Sequence, residues 1–99
     1  MSKANKSENR KTYPPNQIRR YRKKVHFKLK DVALLMGEKS PACVSHYEKG
    51  NKLPSLTNAI KLAKIVKCPV ELLFGDLSKQ ISYEVFERKK KYKLFERYS

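Results

Sequence analysis

From Gln17 to Val25 the chain carries Arg19, Arg20, Arg22, Lys23 and Lys24 and not one Asp or Glu. Guanidinium and ammonium groups without acidic neighbours are free to make charge-assisted hydrogen bonds to phosphate oxygens. Arg19, Arg20 and Lys23 are therefore candidate phosphate ligands. The imbalance extends through the molecule: 24 Lys and Arg oppose 9 Asp and Glu, a formal charge of +15. Basic and acidic residues number 4 and 1 in residues 1–15, 13 and 4 in 16–75, and 7 and 4 in 76–99, so these segments contribute +3, +9 and +3. A small domain with such a charge repels itself unless it meets an anionic partner, and nucleic acid is the commonest one. An acidic membrane surface would require a helix with a large apolar face opposite its basic one. No segment has that balance.

Other reactive residues are too sparse to build a site. Cys43 and His46 stand at i and i+3, a spacing compatible with a metal, but two ligands do not close a coordination shell and no second pair lies nearby in sequence. No Ser or Cys has a base and an orienting acid in a recognisable motif, no glycine-rich phosphate loop occurs, and the acids are scattered. Neither catalysis nor a metal or cofactor is expected. His46 would make ligand binding respond to pH. Cys43, near a helix N-terminus, would make it respond to oxidation. Cys43 and Cys68 form no framework of bridges, and Cys68, before Pro69 in an apolar run, reads as a buried thiol. A reducing cytoplasm suits the pair. The polar start has no signal-peptide character, and no run approaches the roughly 18 apolar residues of a membrane span.

These side chains must be held by short helices. Glycine is scarce, with 3 in 99 residues, and no stretch alternates apolar and polar residues for long, so the expected class is all-α. Residues 1–15 are polar and basic with Tyr13-Pro14-Pro15 as a stiff joint, and read as a disordered tail or as an arm along a DNA groove. A first helix over Gln17 to Val25 would turn Ile18, Tyr21 and Val25 inward. Leu29, Val32, Ala33 and Met36 recur at i, i+3, i+4 and i+7, giving a second helix one apolar face that Gly37 terminates. Ser40 and Pro41 open a third, by a hydroxyl cap and a proline suited to the first turn. It turns Val44 and Tyr47 inward, spreads Ala42, Cys43, Ser45, His46 and Lys49 over its surface, and ends at Gly50. Ser55 caps a fourth helix whose stripe is Leu56, Ala59, Ile60, Ala63 and Val66, with Leu62 and Ile65 beside it. Val70 to Phe74 form a short fifth. Beyond Gly75, Leu77, Ile81, Val85, Tyr92 and Phe95 share one side of a long basic helix. That helix folds back on its own domain or offers Ile81, Val85, Tyr92 and Phe95 to a second copy or another protein, with Arg88 in the missing step of a short heptad-like seam.

Residues 16–75 resemble the helix-turn-helix domain of the lambda-repressor, Cro and Xre group of bacterial and phage regulators. The resemblance rests on Val32-Ala33, Gly37, Ser40, Val44-Ser45, Glu48, Gly50, Pro54-Ser55-Leu56 and Val70-Glu71-Leu72-Leu73-Phe74. Ala33 must be small where the helices of the motif cross, Gly37 gives the turn its backbone freedom, and Val44 anchors the third helix. The resemblance implies a five-helix domain whose third helix enters the major groove. Its base-reading positions would be Pro41, Ala42, Ser45 and His46, with backbone contacts from Lys39, Ser40, Lys49, Asn51 and Lys52. It also implies a structural ion pair between Arg22 and Glu48. Lys28-Leu29 replace the family's usual Ser-Gln, leaving Lys28 to contact phosphate by charge alone, and one extra residue lengthens the turn between Gly37 and Ser40. Pro41 and Ala42 can offer only apolar contact to a thymine methyl, so polar readout falls to Ser45 and His46.

The sequence therefore leads to three segments: a tail over 1–15, a helix-turn-helix domain over 16–75 and a basic amphipathic helix over 76–99. The expected protein is a cytoplasmic bacterial or phage-encoded regulator of transcription, nucleoid-associated when bound. It would bind double-stranded DNA as a homodimeric repressor on an inverted repeat, without contact to a membrane. The alternatives are an antitoxin-like protein with a partner on its last helix, or a nonspecific nucleic-acid binder.

Overall fold

Asn16 sets the start of the first helix and ties it to the third. Its Oδ1 accepts the Ile18 N–H at 3.0 Å, while its Nδ2 donates to the Tyr47 carbonyl at 2.8 Å. The computed structural model describes residues 13–96, and among these it is all-helical, with six helices and no strand. They are α1 (Ile18–Lys24), α2 (Leu29–Met36), α3 (Ala42–Lys49), α4 (Leu56–Val66), α5 (Val70–Leu73) and α6 (Gly75–Tyr92). The expectation for the N-terminal tail falls mostly on residues outside this range. Of its described part, Tyr13 donates its N–H to the Gly50 carbonyl at 3.0 Å, which fastens the chain beside the end of α3.

Five of the six helix ends among the described residues follow one device, α5 being the exception. Gly37 and Gly50 take left-handed φ of 84° and 77°. In each case the next N–H reaches back five residues, from Glu38 to Ala33 at 2.8 Å and from Asn51 to His46 at 3.1 Å, the bond of a Schellman cap. A Cβ on Gly37 would meet nothing within 4 Å, so glycine is needed there for backbone conformation and not for space. His26, Lys67 and Lys93 adopt the same left-handed conformation without being glycine. They carry the same bond, from Phe27 to Arg22, Cys68 to Ala63 and Leu94 to Lys89. Ser55 caps α4 as expected, its Oγ accepting from the Asn58 N–H at 3.2 Å.

The core is built from Ile18 of α1, Val32, Ala33 and Met36 of α2, Val44 and Tyr47 of α3, Ala59, Leu62 and Val66 of α4, and Leu73 and Phe74 at α5. Cys68 is buried among them, and loss of hydration pushes its thiol above the ordinary thiol value. In α4 the buried face differs from the expected stripe. Leu62 is fully enclosed while Leu56 is 76% and Ile60 42% exposed. The helix packs against both α1 and α2 and so turns its Ala59-Leu62-Val66 side to them, with Ala63 and Ile65 at the margin.

The end of the chain also departs from expectation. Gly75 is the first residue of α6, so no linker separates that helix from the bundle. Leu77 packs on the core, while no residue of α6 is fully buried. Nor does the helix run to residue 99: it stops at Tyr92, and Lys93 reverses the chain. Phe95 consequently leaves the stripe of Ile81, Val85 and Tyr92 and packs edge-on against Phe86, with ring centroids 6.4 Å apart. An ion pair between Lys89 and Glu96 fastens the turn and holds the Glu96 carboxyl below the usual carboxylate range.

Candidate nucleic-acid interface

Val44 and Tyr47 are buried, so α3 is fixed to the bundle by one side. The opposite side presents Ala42, Ser45, His46 and Lys49 at i, i+3, i+4 and i+7, which places them in a single stripe. Ala42, His46 and Lys49 are exposed and Ser45 is half-buried. Cys43, expected on the surface, instead lies partly buried against the core, so its thiol is not part of the stripe. Pro41 is exposed in the right-handed helical conformation just before the first residue of α3. Its carbonyl accepts the Ser45 N–H at 3.0 Å, and the Ser40 Oγ accepts the Ala42 N–H at 3.1 Å. The Ser40 hydroxyl proton is left to donate outward.

The orientation of this stripe is set by buried polar contacts. Arg22, at 8% exposure, is the buried charged residue of the described chain. Its Nε donates to Glu48 Oε2 at 2.5 Å, its Nη2 to Glu48 Oε1 at 3.3 Å, and its Nη1 to the Phe27 carbonyl at 2.9 Å. One guanidinium thus joins α1, the α1–α2 turn and α3. Asn58 Nδ2 donates to the Tyr47 hydroxyl at 3.2 Å, adding α4, and Lys61 Nζ donates to the Met36 carbonyl at 3.3 Å at the end of α2. Asn16, Asn58 and Lys61 were not singled out from sequence. For Asn16 a signal existed, since Asn after Pro-Pro and before an apolar-periodic run marks a helix start.

Cations are exposed on several elements besides α3. Arg19, Arg20 and Lys23 are exposed on α1, Lys28 at the entry of α2, Lys39 and Ser40 in the turn of the motif, and Lys49 and Lys52 at and after the end of α3. Arg20 and Lys24 both lie over the Tyr21 ring, at 5.8 and 5.1 Å from its centroid. Asn51 is half-buried, and its N–H is committed to the helix cap, so only its side chain can meet a ligand. Lys28 donates its own N–H to the Asp31 carboxylate at 2.8 Å, while its ammonium stays exposed. Among the described residues no group of three or more His, Cys, Asp or Glu is placed to hold a metal. No helix there is long and apolar enough to cross a membrane.

An apolar-anchored helix with an open polar stripe, entered through a turn with a left-handed glycine, is the geometry of a helix-turn-helix. The sequence matches the family described as helix-turn-helix over residues 18–73, more than half of the chain. The chain belongs to the lambda-repressor and Xre type of helix-turn-helix proteins. No curated protein and no solved structure matches significantly. In helix-turn-helix terms, α2 and α3 are the paired helices, α1, α4 and α5 complete the scaffold, and α6 follows the matched region. The family is one of DNA-binding regulators and not typically of catalysts.

Proposed function

We propose that this helix-turn-helix protein is a sequence-specific repressor of transcription that binds an inverted repeat in double-stranded DNA as a homodimer. The observation that carries the reading is the stripe of Ala42, Ser45, His46 and Lys49, open on α3, in a domain that also exposes cations on α1, α2 and the adjoining turns. Seated in a major groove, the start of α3 meets base edges. Pro41 and Ala42 make apolar contact with a thymine methyl, and Ser45 and His46 make the polar contacts. Arg19, Arg20, Lys23, Lys28, Lys39, Ser40, Lys49, Asn51 and Lys52 hold phosphates and set the register without reading sequence. Two such units must face one side of the duplex, which puts half-site centres about 10 to 10.5 base pairs apart or a multiple of that. Repression follows from occlusion of a promoter. The setting is the cytoplasm of a bacterium, with the gene on its chromosome or a phage's.

Selection of bound duplexes from a random library by the full chain at physiological salt tests the reading. A two-fold symmetric motif is the expected result. Retention of DNA without enrichment would replace it with a nonspecific, charge-driven binder. A second reading, in which α6 holds a different protein in the manner of an antitoxin, is favoured by the exposure of that helix, and it predicts a single half-site in the same selection.

A further inference from the structure

Lys79, Tyr83, Phe86 and Lys90 recur along α6 at steps of four, three and four residues, so they share one side of the helix. It is the side opposite Leu77, which packs on the core. All four residues are exposed, Tyr83 by 65% and Phe86 by 50%. From the rise of a helix, the two rings stand about 4.5 Å apart along the axis, and each lysine lies about 6 Å beyond the nearer ring. The order is cation, ring, ring, cation.

The neighbours of this stripe leave it open. Phe95 meets the Phe86 ring edge-on with centroids 6.4 Å apart, yet half of Phe86 still faces water. Lys90 Nζ lies 5.4 Å from the centre of the same ring, so that ring is met by a mobile ammonium and not by the bundle. Asp76 and Glu87 stand three residues before Lys79 and Lys90, and Glu87 pairs with Lys90 at 3.6 Å. An exposed pair of this kind is weak, so a phosphate can draw Lys90 away from Glu87 and uncover the ring.

The combination of groups decides what fits. The outside of a duplex shows phosphates and base edges but no ring faces, so it would engage Lys79 and Lys90 and leave Tyr83 and Phe86 idle. An acidic peptide would do the same. An anionic membrane favours rings and cations on opposite sides of a helix, whereas here they share one side. An unpaired strand carries a phosphate and an open base face in every nucleotide, which matches both kinds of group at once. We propose that this side of α6 binds single-stranded nucleic acid, with two successive bases stacked on Tyr83 and Phe86 and the flanking phosphates held by Lys79 and Lys90. The surface lies outside the region matched to the helix-turn-helix family and is separate from the stripe on α3.

Fluorescence anisotropy of labelled oligothymidylate and oligouridylate, each of about 12 nucleotides, titrated with the full chain tests the proposal. Binding at tens of micromolar or tighter is expected, and preference for one strand assigns DNA or RNA. Tyr83→Ala and Phe86→Ala should each weaken it about tenfold, while Tyr83→Phe, which keeps the ring, should bind as the parent does. Lys90→Gln should lower the salt slope by about 0.7. Arg19→Ala, on α1, should weaken duplex binding and leave strand binding within about twofold, since it removes a phosphate contact of the other surface. Strand binding that ignores both ring deletions, or that falls with Arg19→Ala as duplex binding does, would overturn the proposal. So would a chain that leaves both strands unbound, or one whose Tyr83 supports binding to phosphatidylserine vesicles and to neither strand. Duplex selection is read independently: a failed strand titration leaves the regulator standing, and a failed selection leaves this surface standing.

Discussion

Arg22 of α1 and Glu48 of α3 form an ion pair in which each side chain is about nine-tenths buried and the shortest N to O distance is 2.5 Å. A pair so placed has given up its hydration, and removal of one member strands the other. Glu48→Ala should therefore destabilise the domain by about 3 kcal/mol, as should Arg22→Ala. The double change Arg22→Met with Glu48→Leu should recover most of that loss, because apolar groups of similar size need no partner. Urea unfolding of the three variants decides the matter, and a Glu48→Ala protein as stable as the parent would contradict it.

Base reading and phosphate binding should separate by mutation. Ser45→Ala or His46→Ala should change preference at a single base pair by about 1 to 3 kcal/mol. Arg19→Ala should weaken binding to every duplex alike and lower the slope of log K against log salt by about one unit. Titrations on a panel of single-base variants at several salt concentrations measure both. Neutral Ser45 and His46 would mean that the lengthened turn has rotated α3 to a different reading face.

Lys67 ends α4 with φ of 58°, a conformation that costs a residue bearing a Cβ about 1 to 2 kcal/mol. Lys67→Gly should raise stability by about 1 kcal/mol, part of the gain being offset by the greater freedom of glycine in the unfolded chain. The rise would appear as a higher denaturant midpoint with an unchanged slope.

Cys68 should be the slower of the two thiols to react. Burial raises its pKa, with the Tyr21 hydroxyl and the Lys24 charge opposing more weakly, so the folded state holds it protonated. The corresponding stability is fully present below the ordinary thiol pKa and is lost as pH rises toward the raised value. Alkylation near neutral pH should mark Cys43 first, and the stability of the parent should fall on the alkaline side more steeply than that of Cys68→Ala. Equal labelling rates in the folded protein would sink the first expectation.

The helical class and five of the helix starts were legible because their signals are local. Ser55 caps α4, Ser40 and Pro41 precede α3, and Leu29, Val32, Ala33 and Met36 repeat at helical spacing. Helix ends were legible only where glycine wrote them, at Gly37 and Gly50. At Lys93 the same left-handed turn is taken by a residue that gives no sign of it, which is why the sequence carries α6 past Tyr92 and sets Phe95 on its stripe. The α4 stripe failed for a different reason: its apolar residues cover more than one side, and only packing against α1 and α2 selects Ala59, Leu62 and Val66. Of the interface, the stripe on α3 followed from spacing. The Arg22 and Glu48 contact came through family resemblance, since no local rule links residues 26 apart. The bonds of Asn16, Asn58 and Lys61 depend on the tertiary fold and had no such guide.

Phe74 alone separates α5 from α6, and α6 begins on the next residue. Its 18 residues make a rod of about 27 Å with no slack at its base. Such a rod acts as a protractor as well as a spacer. Whatever grips its far half also sets the azimuth of α3, and one alanine inserted after Asp76 would swing that grip by about 100° around the rod's axis. Register along α6 and phase along a bound duplex are thereby the same mechanical quantity, read at two ends of one rigid body.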